Sequence, residues 1–278
     1  MVLGPEGGCM TCGNNGLALA FCMTLPLLLF LAREEPRVWL RRLLYAMLVM
    51  TPIATLFTFA RTGLVTLPVV LILLFMRSKR KVLAFVALGI FYIGIMSFAP
   101  QRLFDRAESI QTHTDASAQM RLESWYVAWR FALEHPWGGG FWVLDHDAVF
   151  SRYLTSYFRS QSAHNIYFEV LADHGFPGLF IYIGLIVSTY YSLFRLRRAV
   201  ASNPQGEWLE NYCRMVQISL TAFMIGGNFL PLSYWDYFYH LVSFSILLHA
   251  IAIREGLLAR SAVSVPGAEP WRTQVRVA

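Results

Sequence analysis

At 278 residues the chain is long enough for one or two soluble domains, but 56% of it is hydrophobic, only 14% is charged and its mean hydropathy is +0.47. That balance lies well outside globular usage and excludes an ordinary soluble protein, leaving an integral membrane protein. The formal net charge of +6 does not mark a nucleic-acid binder, because Lys and Arg fall in short clusters between apolar runs rather than on one solvated face.

The first fifteen residues carry no Lys or Arg and hold Cys9 and Cys12 in a C-x-x-C. Cys22 and Cys213 lie in or beside apolar runs and supply no second ligand pair, so the spacing argues against zinc, and no metal or cofactor site is expected. Seven segments then read as membrane helices, each with few or no charges over a length near the roughly 20 residues that cross a bilayer. They are residues 16–32, 43–60, 62–76, 82–99, 166–194, 211–230 and 237–253. The third is short. In the fifth, Gly175, Pro177 and Gly178 interrupt the pattern early, which predicts a short helix from His164, a break, and then the spanning part. The expected fold is all-α, a polytopic bundle of about seven transmembrane helices with one long outer loop.

The basic residues alternate. "REEPRVWLRR" carries four Arg, "RSKRK" four basic residues, "RLRR" three, and the tail beyond Ile253 four more, whereas "FARTG" has one and "NFLPLSYWDYFYH" none. By the positive-inside rule the basic loops and the C-terminus are cytoplasmic. The chain then divides into residues 1–99 (four spans), 100–163 (an outer loop), 164–255 (three spans) and 256–278 (a cytoplasmic tail). This orientation starts the chain outside the cytoplasm without a signal peptide, and an N-terminal truncation is expected. In the outer loop six Arg meet seven acidic residues, so it is not a polybasic patch. Leu122, Trp125, Tyr126, Trp129 and Leu133 recur there at helical spacing, which predicts an amphipathic helix at the membrane surface, ended by "HPWGGGF".

Ionisable groups that could do chemistry gather at the outer edge: Arg61 between the second and third spans, Arg121 and Arg130 on the surface helix, and His164 before the fifth span. Guanidinium keeps its charge at any working pH and binds phosphate oxygens in a bidentate manner, and histidine accepts a proton near neutrality. Together they describe a site where a hydroxyl attacks a carbon whose leaving group is a lipid diphosphate. Asn165, Glu169 and Asp173 recur every four residues as one polar stripe. Plainer readings stand beside these. Arg61 can snorkel, Arg121 can pair with Glu123 or Asp115, His164 can bond backbone at a helix start, and Trp125 and Trp129 can anchor at the interface. Arg130 reads as a solvated charge, His135 before Pro136 as a helix terminator, and His113, His146, His174, His240 and His249 as structural or exposed. Gly138 to Gly140 lack the Lys-Ser/Thr and the preceding strand of a phosphate loop.

Three stretches resemble one family. "HNIYFEVLADHGFPG" is similar to the His-Asn/Ser, Glu, Gly-x-x-Gly signature of the O-antigen ligase and polymerase superfamily, "RLESWYVAWRFALEHPWGGGF" to its Arg-x-x-x-Trp helix and glycine-rich turn, and "FARTG" to its Ser-Arg-small motif with Ala60 in place of Ser. The opening "GPEGGCMTCGNNGLALAFCMTLPLL" resembles the O-glycosylation ligases that accompany exosortase systems. The resemblance implies a multi-pass protein of the bacterial inner membrane with its site facing the periplasm. It implies inverting, metal-independent transfer of a glycan from undecaprenyl diphosphate to a lipid, protein or glycan hydroxyl, with Arg61, Arg121 and His164 catalytic and Asn165, Glu169, Trp125 and Gly139 binding substrate. A polymerase of the same superfamily differs only in acceptor. A transporter or flippase would place charged groups on broken helices at the bilayer midplane with repeat symmetry, and neither is seen. A scaffold that docks a partner through the outer loop would not depend on which side chains stand at the Arg and His positions.

Overall fold

A computed structural model describes residues 13–76, 116–154, 162–201 and 203–258. Eight α-helices occur among them: α1 (Asn14–Glu34), α2 (Val38–Phe57), α3 (Arg61–Phe75), α4 (Ala116–Glu134), α5 (Asp147–Tyr153), α6 (Ile166–Val200), α7 (Glu207–Gly226) and α8 (Asp236–Arg254). The described residues contain no strand, and the fold is an all-α membrane bundle. Helices α1, α2, α6 and α8 are long and apolar enough to cross a bilayer, while α3 is a shorter apolar helix of 15 residues. The expected span at residues 82–99 lies outside the described residues, as do Cys9, Cys12 and the tail.

Three spans differ from the sequence reading at their boundaries: α6 runs on to Val200 rather than residue 194, α7 begins at Glu207 rather than residue 211, and the ends of α2 and α7 have local causes. The second helix starts five residues earlier than expected, at Val38, and stops at Phe57 because Phe59 takes a left-handed φ of 53°. Helix α7 runs from Glu207 to Gly226, not to residue 230, because a 3-10 turn at Gly227–Phe229 precedes Pro231.

The main core is built where α1, α3, α6, α7 and α8 meet, with Leu19, Leu67, Ile166, Leu220 and Phe238 fully buried. Between helices in a bilayer the apolar effect gives little drive, so close packing through small residues and interhelical hydrogen bonds must hold the bundle. Both are present. A Cβ on Gly226 would lie 2.5 Å from the Leu19 side chain, and one on Gly227 would lie 2.6 Å from Ile166, so α7 ends in tight contact with α1 and α6. The buried Ser219 hydroxyl donates to the Met23 carbonyl at 2.7 Å, and Thr62 donates to Asn15 at 3.4 Å. By contrast α2 buries only Thr55 and exposes Trp39, Met47, Val49, Met50 and Phe57. Apolar surface of that extent on one helix is stable against lipid, not water.

A second, smaller core joins α4, α5 and the start of α6 through Val127, Phe131, Val143, Phe150 and Ala172. Helix α4 therefore buries the face carrying Val127, Ala128 and Phe131. The stripe of Leu122, Tyr126, Trp129 and Leu133 stays exposed on another face.

Candidate functional site

At its 35 residues α6 would reach roughly 52 Å at 1.5 Å per residue, more than a bilayer core requires. Gly175 breaks it with φ 66° and ψ −164°. The expected interruption is thus present, and nine residues, Ile166 to His174, form an arm ahead of the longer part. A break frees backbone groups that cannot stay unpaired. Here the glycine-rich turn takes them up. Gly139 N–H donates to the Ala172 carbonyl at 3.0 Å, Gly140 N–H to the Asp173 carbonyl at 2.9 Å, and Phe176 N–H to the Pro136 carbonyl at 3.0 Å. Pro177 has no N–H to offer Asp173, so the turn supplies what the helix lacks. The approach is so close that a Cβ on Gly175 would sit 1.9 Å from the Pro136 oxygen and one on Gly138 2.3 Å from the Asp173 oxygen. Both glycines also have positive φ.

The polar stripe fixes this arm to its neighbours. Asn165, Glu169 and Asp173 are 3%, 6% and 2% exposed. Asn165 caps α6, its Oδ1 accepting from Tyr167 N–H at 2.9 Å and Phe168 N–H at 3.3 Å, while its amide donates to Asn228 at 3.4 Å. Glu169 accepts from Ser233 twice, from the backbone N–H at 3.1 Å and from the hydroxyl, which also lies 3.0 Å from the Ile166 carbonyl. Asp173 accepts from Val143 N–H at 3.2 Å and from the Tyr234 hydroxyl at 2.8 Å. Burial, reinforced by that bond to Asp173, pushes the Tyr234 hydroxyl far above the phenol range and keeps it a donor. The linker between α7 and α8 is therefore part of the site. The sequence reading passed over Asn228, Ser233 and Tyr234, although three hydrogen-bonding side chains in a short apolar connection were a usable signal.

His164 does not begin the helix, as the sequence reading had it; it precedes the cap, with a left-handed φ of 48°. Its Nδ1 lies 2.9 Å from the Ser162 carbonyl and 3.1 Å from the Ser162 hydroxyl. A carbonyl can only accept, so the bond puts the proton on Nδ1 and leaves the lone pair of the neutral ring on Nε2. Trp125 holds the preceding residue, its indole N–H donating to the Ala163 carbonyl at 2.8 Å while its ring stacks on Phe168 at 5.3 Å. Arg121 lies one turn earlier on the same helix face as Trp125. The structure thus ties the Arg-x-x-x-Trp helix to the His164 segment through backbone and ring contacts.

Arg61 is the first residue of α3, half-buried, with no acidic residue in that first turn. A cation there opposes the helix dipole, so helix stability does not explain it. A Cβ on Gly226 would lie 3.1 Å from the Thr66 hydroxyl, and Gly227 touches Ile166. The beginnings of α3 and α6 therefore lie at the same end of the bundle. All three non-glycine residues with positive φ among the described residues are at this end: Phe59 two before Arg61, Trp142 after the glycine-rich turn, and His164. The basic clusters among the described residues, in 33–42 and 195–198, lie at the opposite end, where Asn211 donates to Glu34 and Arg214 pairs with Glu210.

Fold and site define a multi-pass membrane protein with motif residues from three distant segments lying toward one end of a helical bundle. Residues 44–183, half of the chain, match the family described as O-antigen ligase, and the chain belongs to that family. The matched interval contains Arg61, Arg121 and His164. Among curated proteins none gives a significant match. Family membership makes the chain a membrane enzyme of the glycan ligase and polymerase type.

Proposed function

We propose that the protein transfers an oligosaccharide or polysaccharide from an undecaprenyl diphosphate carrier to a hydroxyl of a lipid, protein or glycan acceptor, with inversion. The reaction takes place at the periplasmic face of the bacterial inner membrane. What supports this reading is that the three motif segments lie toward the end of the bundle opposite the described basic clusters, which the positive-inside rule assigns to the cytoplasm. The resemblance in the opening residues favours an O-glycosylation ligase of the exosortase-associated kind.

In this reading the acceptor oxygen attacks the anomeric carbon from the face opposite the diphosphate. The new C–O bond forms as the C–O bond to the carrier breaks. His164 Nε2 takes the acceptor's proton, and Arg61 and Arg121 hold the diphosphate whose negative charge grows as it leaves. Asn165, Glu169, Trp125 and Gly139 shape the substrate cleft: Trp125 and Asn165 fix the residues on either side of His164, while Glu169 and Gly139 hold the arm behind it. No metal enters the mechanism, because guanidinium groups neutralise the leaving group.

His164→Ala and Arg121→Ala should each lower glycan transfer at least about 100-fold, the scale on which loss of a general base or a charge-stabilising donor is felt. Membrane insertion should be unchanged. Glycan blotting in a strain lacking the chromosomal copy, with the membrane level of each variant measured in parallel, reads this directly. Full transfer by either variant removes the catalytic assignment.

A further inference from the structure

A cavity of about 390 Å³ opens at the basic end of the bundle, remote from the site just described. Arg33 at the end of α1, Arg197 near the end of α6, and Arg214 and Gln217 on α7 line it, and among the described lining residues none is acidic. The polar groups are held in place. Arg197 donates to the Gln217 oxygen at 2.9 Å, and the Gln217 amide in turn donates to the Tyr190 carbonyl at 3.2 Å. Gln217 is buried, so its two bonds set the direction from which Arg197 is approached. Arg214 pairs with Glu210, yet its buried Nε–H has no hydrogen-bond partner among the described residues. The same cavity has an apolar wall, with Leu73 and Leu74 of α3 and Ile218 of α7.

Three guanidinium groups converging between helices form a cationic pocket that a phosphate group fits: planar forks match phosphate oxygens, and low-dielectric walls strengthen the attraction. Arginine and leucine side chains lining one cavity match a molecule with an anionic head and an apolar body. Basic pockets between transmembrane helices on the cytoplasmic side are suited to acidic lipid head groups. We propose that this cavity binds the phosphate of an anionic lipid from the leaflet at the basic end, as a site separate from the transfer reaction and independent of it.

The test uses the purified full chain in a neutral detergent, with melting followed as phosphatidylglycerol, phosphatidylcholine or inorganic phosphate is added. Phosphatidylglycerol is expected to raise the melting temperature by about 3 °C or more at saturation. Phosphatidylcholine and millimolar inorganic phosphate are expected to leave it in place. An equal shift with inorganic phosphate would assign the cavity to a soluble phosphate and overturn the lipid proposal, and an equal shift with phosphatidylcholine would overturn it as well. The double variant Arg33→Gln/Arg197→Gln should abolish the phosphatidylglycerol shift. Arg214 is left intact so that Glu210 keeps its partner. Arg33→Gln alone, at the exposed mouth where folding is not at stake, should move the phosphatidylglycerol midpoint about 10-fold upward, the effect of losing one charged hydrogen bond. An unchanged midpoint in that variant defeats the proposal whether or not the double variant folds.

Discussion

A histidine with φ 48° is held in a conformation that costs roughly 1 to 2 kcal/mol for a residue with a Cβ. Something must impose it, and the structure shows what does. Ala163 just before it is fastened by the Trp125 indole, and Asn165 just after it is committed to capping α6. The strain is thus fixed from both sides at the residue whose Nε2 carries the lone pair. This makes Trp125→Phe informative. Phenylalanine can keep the stack on Phe168 but loses the N–H that holds the Ala163 carbonyl, so the fold should survive while His164 drifts. Transfer should fall about 10-fold or more, in line with the sensitivity of catalysis to small displacements, and the melting temperature should change little. A variant with wild-type turnover, measured on purified protein with a lipid-linked donor, would detach Trp125 from the site. Glu169 calls for the opposite pattern. Its carboxylate answers the buried Ser233 N–H, so Glu169→Ala leaves that donor unsatisfied and should cost about 2 kcal/mol of stability. Glu169→Gln retains an acceptor and should cost clearly less, as thermal denaturation in detergent can compare. The sequence made the stripe of Asn165, Glu169 and Asp173 legible through its four-residue spacing. It marked Ser233 and Tyr234 as hydrogen-bonding side chains in a short connection but not their partners, because partners about sixty residues away leave no local periodicity to read.

At the scale of elements, the break in α6 and the turn after α4 are one feature seen from two sides. Each glycine in this pairing is there because backbone meets backbone, and the consequences of replacement can be ranked. Gly175→Ala adds a methyl 1.9 Å from the Pro136 oxygen at a positive φ. Relief requires parting the turn from the arm and breaking the hydrogen bonds that join them, a loss of several kcal/mol. The variant should fail to accumulate in the membrane or should melt far below the wild type. Gly140→Ala has the same kind of backbone penalty, φ 93°, but nothing within 4 Å of the new methyl, so it should lose only about 1 to 2 kcal/mol. Comparable loss in the two variants, on a fluorescence-detected melting assay, would mean that the close approach carries no weight. The break itself was readable from Gly175, Pro177 and Gly178 in sequence. Its partner was not, since "HPWGGGF" reads as a helix stop whatever it docks against. Helix α4 shows the same boundary of legibility. Its apolar positions were evident, but two apolar faces compete for the core, and the sequence could not say that Val127 and Phe131 would win it while Tyr126 and Trp129 stayed outside.

For the molecule as a whole, function depends on which end faces which compartment. The structure fixes the relation between the ends: α6 starts beside the glycine-rich turn and, after Gly175, runs on to Arg195, Arg197 and Arg198, while α8 starts at the Tyr234 linker and finishes at Arg254. Any orientation that exposes Trp137 to one compartment therefore exposes Arg254 to the other, provided these helices cross the bilayer. The charge alternation supplies the sign, with the arginine-rich end retained in the cytoplasm. Both side chains are well exposed, Trp137 at 81% of its surface and the Arg254 side chain at 79% in the last turn of α8, so each can be tested with a single cysteine in a chain whose four native cysteines are replaced by Ser or Ala. Trp137→Cys should react with a membrane-impermeant maleimide in intact spheroplasts, and Arg254→Cys should react only after the membrane is permeabilised. Labelling of both from outside would contradict the bundle's crossing geometry. The reverse pattern would keep the geometry but put His164, Arg61 and Arg121 in the cytoplasm, away from the periplasmic acceptors that the proposed transfer requires.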